Sequence, residues 1–528
     1  MRIYSENKSE IFNNTDTVCS GDVSLEIRKS GDNLTVSVSA DTTPLRYIRM
    51  YWRFDETEKR TEAVRVYGDE WERGYGAMAW RPVEAERCMP WVCAVSNGSD
   101  LSEDTNGRRT ECFGVKVRPA AMCFWQYSAA GITLWLDIRC GGSGVILSGR
   151  KVKLCEMVFS EYRDITAFEA LKKYYLILCD DPIFPRNKVY GANNWYYAYG
   201  KSSENDIMKD TCLLCGLCSG LDNVPYMVID DCWELNNADA PWDVLREGFS
   251  DMKRLAGEIR KAGARPGIWF RPLADEKHVS GLDKPQHRLS RHPSYLDPSN
   301  PDVLEYAAAT VRRLSAEWGY ELIKHDFSTF DIFGFWGFER SSAFAEDGWS
   351  FYDRSKTSAE IILELYRTIK AAAEDNTLIL GCNKIGHLAA GLAHINRTGD
   401  DTSGKEWERV RKYGVNTLAF RMLHHGAFYE ADADCAALTS ELDGSLAAEW
   451  LRALSVSGTP LFVSAVPELV KGETAGKLKA AYARASLQKD TLIPLDWMEN
   501  TCPEVWLLNG EGIRFCWYPE TGAESFNP

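Results

Sequence analysis

Leu322-Ile323-Lys324-His325-Asp326 is an apolar start that runs into a polar end. Seven further stretches repeat the plan, and together they lie near 189–195, 226–230, 266–270, 322–326, 378–382, 394–401, 426–432 and 461–465. Amphipathic helical patterns at 242–262, 301–318 and 358–374 separate several of them. Short apolar strands alternating with helices read as parallel βα units, because parallel neighbours need a crossover of a dozen or more residues. Eight such units predict a (β/α)₈ TIM barrel, whose functional groups gather at the strands' C-terminal ends. The polar ends of the eight stretches fall there.

Outward from the barrel the pattern changes. Val23-Ser-Leu-Glu-Ile-Arg28 and Leu34-Thr-Val-Ser-Val-Ser39 alternate with period two around a Ser-Gly-Asp turn, a hairpin signal, and Gly131-Ile-Thr-Leu-Trp-Leu-Asp137 behaves alike. Residues 1–180 are therefore expected to form an N-terminal β-sandwich, with a helix near 165–177 and a linker at 180–185. The catalytic barrel is expected over 186–475, and a short C-terminal β region, reduced or truncated, over 485–528.

A chain of 528 residues has room for several such units. Its net charge of -15 argues against nucleic-acid and anionic-membrane partners and favours a small neutral substrate. Met1-Arg-Ile-Tyr-Ser-Glu-Asn-Lys8 lacks the apolar core of a signal peptide, and no apolar run approaches the ~18 residues of a membrane span. A cytoplasmic protein is expected, with its 16 cysteines as free thiols. Cys212, Cys215 and Cys218 are spaced as one face of a helix and read as a buried thiol face rather than an iron–sulfur run, which would need a fourth cysteine. No metal and no cofactor are expected; a homo-oligomer is left open.

Four strand ends carry the chemistry. Lys324 and Asp326, two apart on a strand, share a face, and a lysine beside a carboxylate favours the ionised form that a nucleophile requires. A structural ion pair is the plainer alternative. In Arg397-Thr-Gly-Asp400-Asp401-Thr402, period two places Arg397 and Asp401 together and Asp400 opposite. Hydrolysing a glycoside takes two carboxyls flanking the bond, roughly 5–5.5 Å apart for retention and about 6.5–9.5 Å for inversion. Asp401 is the candidate acid/base and Asp400 its rival, though either would also serve to cap a helix expected at 403–412. Val228-Ile-Asp230-Asp231-Cys-Trp233 offers paired acceptors for hydroxyls and a ring for stacking, provided the backbone turns there. Trp195, Trp269 and Arg271 end neighbouring strands, and each is more simply read as packing. Asp432-Ala-Asp434 fails the calcium-loop pattern because Ala437 and Asp443 stand where Gly and Glu are needed, and His424-His425 would diverge if helical.

In order along the chain, Ile229-Asp-Asp-Cys-Trp233, Gly267-Ile-Trp269, Tyr295-Leu-Asp-Pro-Ser-Asn-Pro301 and Ile323-Lys-His-Asp326 resemble motifs of the α-galactosidases of glycoside hydrolase family 36. Leu380-Gly-Cys382, Arg397-Thr-Gly-Asp-Asp-Thr402, Asp432-Ala-Asp-Cys435 and Ser457-Gly458 continue the series, which is more distantly similar to family 27. The resemblance implies a retaining, metal-free α-galactosidase with Asp326 as nucleophile and Asp401 as acid/base. It further implies that Asp230, Asp231, Lys324 and Arg397 bind sugar hydroxyls, that Trp195, Trp233 and Trp269 surround the sugar, and that Cys382 lies close by. Arg271 and Cys382-Asn-Lys-Ile-Gly-His387 depart from the family pattern, so an α-N-acetylgalactosaminidase or a related α-glycosidase or transglycosylase remains an alternative. A sugar-binding protein without catalysis is a third reading, opposed by the presence of both carboxylates.

Overall fold

The computed structural model describes residues 15–31, 33–54 and 64–523; the stretch read for a leader, residues 1–8, lies outside them. Nine parallel strands form the central sheet: β1 (Tyr190–Asn193), β2 (Tyr226–Ile229), β3 (Arg265–Phe270), β4 (Leu322–His325), β5 (Leu378–Gly381), β6 (Ile395–Arg397), β7 (Glu430–Asp432), β8 (Cys435–Leu438) and β9 (Leu461–Ala465). Their order is β7-β6-β5-β4-β3-β2-β1-β9-β8. The two end strands are consecutive in the chain, with only Ala433 and Asp434 between them. The seventh strand, expected near 426–432, is present only as Glu430–Asp432 and is followed at once by a further strand, β8, while β1 pairs with β9 in parallel, giving a TIM-like barrel. Asp434 makes the break in a left-handed conformation (φ 71), which lets β7 pair on one side and β8 on the other.

All eight expected strand positions are occupied, and short apolar runs buried on both faces, as in Tyr226–Ile229, Leu378–Gly381 and Leu461–Ala465, are the usual signature of parallel strands. The helices differ more. The first ten residues of the expected 242–262 helix are not helical: the helix is Met252–Ala262, capped by Asp251, whose side chain accepts from Arg254 N. Pro241 and Gly248 (φ 98) keep the ten residues before it irregular. Ser358–Ala372 starts with a capping box at Thr357 and Glu360. The helix expected at 403–412 begins only at Trp407 and passes into a π-helical stretch, Val410–Asn416. His424 and His425 lie beyond the Thr417–Arg421 helix, not on it; His424 bonds Asp69 and His425 pairs with Glu430.

Before the barrel come a seven-stranded antiparallel sheet, ending in Arg65–Gly68, and a four-stranded one. Trp52 and Trp125 of the smaller sheet meet Phe113 and Phe159 of the larger. A helix at Ala167–Leu178 follows, and a three-stranded sheet (Leu492–Pro494, Val505–Leu508, Glu511–Arg514) comes after the barrel. The thiols on the helix Glu204–Leu217 and at its cap grade from exposed Cys212 to buried Cys218, so the expected buried face is only half realised. Among the described residues no disulfide forms, and no helix is long and apolar enough to cross a membrane.

Candidate active site

The strand ends converge as polar clusters joined by hydrogen bonds. Asp326 follows the last residue of β4 and is buried. Its Oδ2 accepts from Trp269 Nε1 (3.1 Å), and its Oδ1 from the backbone N–H of Phe327 (2.7 Å) and of Asn383 (3.0 Å). Three donors on two oxygens hold one rotamer. The chain then turns through Phe327 in the left-handed region (φ 58). Cys232 (φ 74), which follows Asp230 and Asp231, and Asp434 do the same, so three strand ends carry non-glycine residues in a conformation that costs about 1–3 kcal/mol each.

Lys324 is buried with its Nζ 2.7 Å from Asp230 Oδ2, which also accepts from Asn193 Nδ2 (2.5 Å). Burial alone would strip its charge, but Asp230, with Cys382, Asp326 and Asp401, holds the ammonium well above the ordinary lysine range. Asp231 is where the backbone bends: its Oδ1 accepts from Cys232 N (2.5 Å) and Ala238 N (2.9 Å). Ala238 N also donates to Glu234, and burial together with the Asp231 charge pushes the Glu234 carboxyl up to about 8.

On the far side, Arg397 is buried with Nη2 2.8 Å from Asp434 Oδ2 and 3.3 Å from Asp401 Oδ1. Its Nη1 lies 3.5 Å from the Cys382 thiol. Asp401 keeps 37% of its side chain exposed, whereas Asp400, 17% exposed, is paired with Arg73 at 2.6 Å. Burial works to raise the Asp401 carboxyl, yet Arg397, Arg73, Lys324 and Arg409 outweigh it and hold it at about 2. Burial raises Asp400, and the charge of Asp401 adds to it against the pull of Arg73. Burial and the surrounding charges thus push the two carboxyls apart, Asp400 up and Asp401 down.

The aromatic residues divide. Trp269 bonds Asp326 and lies against Phe327; Trp195 is partly exposed beside Tyr199. Trp233 is not brought to the cluster. It is fully buried between Trp242 and Trp318, donating to Trp269 O, because the turn at Cys232 swings it behind the strand end. Among the described residues no group of three or more His, Cys, Asp or Glu side chains is placed to hold a metal ion. Asp434 is instead bound to Arg397.

Arg271 runs under the site, 4.4 Å over the Phe327 ring, with Nη2 2.7 Å and Nε 3.1 Å from fully buried Asp331. Asp331→Ala strands that guanidinium and should cost about 3–5 kcal/mol of unfolding free energy. Urea denaturation checks this; an unchanged midpoint contradicts it.

Several site residues escaped the sequence reading. Glu72 and Arg73 come from the loop after Arg65–Gly68, and Glu72 Oε2 accepts from Asn383 Nδ2 at 2.9 Å. Trp336, with the Arg73 guanidinium 5.2 Å over its ring, belongs to the stretch after β4. No spacing motif links these residues to the strand ends; a Trp-Glu-Arg-Gly-Tyr-Gly run in a β region was the one available signal.

No protein-family model and no curated protein sequence matches the chain. Solved structures do. The α-galactosidase TtGalA of Thermus thermophilus, in complex with p-nitrophenyl α-D-galactopyranoside, is 17% identical with a TM-score of 0.58, over 95% of this chain and 98% of that one. A variant of the family 36 α-galactosidase AgaA of Geobacillus stearothermophilus, in complex with stachyose, is 14% identical with a TM-score of 0.60, over 92% and 71%. The α-galactosidase of Lactobacillus brevis is 12% identical with a TM-score of 0.56, over 92% and 68%. The chain has the fold of the family 36 α-galactosidases.

Proposed function

We propose that this chain is a retaining, exo-acting α-galactosidase-type glycoside hydrolase. The observation that carries the reading is Asp326, a carboxylate fixed by three N–H donors at a barrel strand end, with the Lys324 ammonium close enough for the charges of both Asp326 and Asp401 to act on it. The fold shared with α-galactosidases, two of them solved with α-galactosides bound, supports that substrate class.

In the first step an Asp326 oxygen bonds to the anomeric carbon as the bond to the leaving oxygen breaks, and that oxygen takes a proton from the acid. In the second, water attacks the same carbon as its bond to Asp326 breaks, gives its proton to the conjugate base, and releases the sugar with its configuration retained. Asp401 is our acid/base, since its partial exposure suits contact with a leaving group. Asp400 is the second candidate, favoured by its raised carboxyl. Asp230 and Asp231 accept from sugar hydroxyls, Lys324 and Arg397 donate to them, and Trp195 and Trp269 wall the pocket beside Cys382. Trp233 supports Trp269 from behind.

We read residues 1–180 as a β-sandwich, 186–475 as the barrel and 485–528 as a reduced β region, in a cytoplasmic, cofactor-free protein. A panel of nitrophenyl α- and β-glycosides tests the function. Turnover of the α-galactoside, above the N-acetylgalactosaminide, is expected; no turnover of any glycoside would return the chain to a sugar-binding protein.

A further inference from the structure

The groups around Asp400 and Asp401 come from every side of the mouth. Lys324 comes from β4, Cys382 from the end of β5 and Arg397 from β6. Asp434 lies between β7 and β8, and Tyr196, beyond β1, hydrogen-bonds it. Arg409, on the Trp407–Arg409 turn, donates to Asp401 O (3.1 Å), and Tyr413 lies close enough for the charge of Asp400 to act on it. One cation is not from the barrel at all. Arg73 stands on the loop that follows Arg65–Gly68, and its guanidinium is buried with the charge against Asp400 (2.6 Å).

That loop is sewn to the barrel at the pair itself. Gly74 N donates to Thr398 O (2.8 Å), and Asp400 N donates to Gly74 O (3.0 Å). These bonds pair Gly74 with Gly399 in a parallel bridge, and the approach is close: a Cβ on Gly399 would come 2.1 Å from Tyr413 O, and one on Gly74 2.9 Å from Thr417 Cγ2. Glu72 meanwhile holds Asn383, whose N–H bonds Asp326. Residues 72–74 thus touch both flanks of the mouth.

The Arg73 guanidinium is only partly satisfied, as are those of buried Arg340, Arg397 and Arg421. It is 4% exposed, and its Nε has no hydrogen-bond partner. Leaving a buried donor unmade costs about 1–3 kcal/mol. Its Nη1 faces the Cys382 thiol at 3.6 Å, a weak acceptor that Arg397 Nη1 also faces. Two guanidiniums thus bracket one thiol, and each reaches one of two adjacent carboxyls.

We propose that Arg73, carried to the barrel mouth by the N-terminal β region, is a positioning residue that governs protonation of the Asp400–Asp401 pair through its buried ion pair with Asp400. The inference rests on the hydrolytic reading only for its catalytic meaning. A cation beside two carboxyls stabilises their charged forms, so its removal raises the proton affinity of the pair. The limb of the pH–rate profile that reports loss of the acid's proton then moves to higher pH.

The test is a ¹³Cγ aspartate NMR titration of the full chain, with Asp400→Asn and Asp401→Asn assigning the pair. Arg73→Met is expected to move the pair's titration up by about one pH unit or more, and Arg73→Lys, which keeps the charge, to restore most of it. If Arg73→Met does not fold, Arg73→Gln replaces it in the comparison. A folded neutral variant that titrates as wild type overturns the proposal, as does a lysine variant shifted as far as the neutral one. The titration needs no substrate, so a wild type inactive on every glycoside sinks the hydrolase reading and leaves this result to be judged by itself.

Discussion

Asp326→Ala should lower kcat/KM for p-nitrophenyl α-D-galactopyranoside by about 10⁴-fold or more, the scale seen when a covalent nucleophile is deleted. Alanine removes the attacking oxygen and also leaves three donors, Trp269 Nε1 and the N–H groups of Phe327 and Asn383, aimed at an empty space. That space suits a small anion. Azide or formate should therefore restore part of the turnover of an activated substrate, and the azide product should have the β configuration, because the anion replaces Asp326 on its own face of the sugar. Folding should survive, since the side chain meets the mouth rather than the apolar core. Near-wild-type turnover in this variant would remove Asp326 from the chemistry.

Asp401→Asn should lower kcat/KM for raffinose or stachyose by about 10²–10⁴-fold, the usual worth of a placed general acid. A nitrophenolate leaves without much protonation, so kcat for nitrophenyl α-galactoside should fall less in the first step and be limited by the second. The comparison with Asp400→Asn is decisive between neighbours. Asp401 is the more exposed carboxyl but is held at about 2 by Arg397, Arg73 and Lys324, while burial lifts Asp400. A leaving-group-dependent loss in Asp400→Asn, and a uniform one in Asp401→Asn, would assign the proton donor to Asp400.

The barrel was legible because a buried parallel strand is written as a compact apolar run, and Tyr226–Ile229 and Leu461–Ala465 need no distant information to be recognised. The break between β7 and β8 was not. It depends on Asp434 adopting φ 71, which arises where Arg397 and Tyr196 hold its carboxylate from two other strand ends. Asp230, Lys324, Asp326 and Arg397 were legible as strand-end polar residues with period two. Trp233, read as a ring for stacking on the sugar, lies elsewhere because the chain turns at Cys232, three residues past the end of Tyr226–Ile229. Glu72 and Arg73 were out of reach, since an irregular loop in a β region has no periodicity to show that it crosses to the barrel mouth. The late start of the helix at Trp407 has a local cause: Ser403 Oγ accepts from Lys405 N and Glu406 N, a turn that competes with helix.

On the retaining route a sugar becomes covalently attached to Asp326. With the acid/base removed, the first step outruns the second for an activated substrate, so Asp401→Ala, or Asp400→Ala if that residue proves to be the acid, mixed with p-nitrophenyl α-D-galactopyranoside and quenched in acid should accumulate the intermediate. Mass spectrometry should find the protein heavier by one hexosyl unit and peptide mapping should place it on Asp326. A hexosyl unit on a different carboxylate, or none while nitrophenol is released in a burst, would contradict the account.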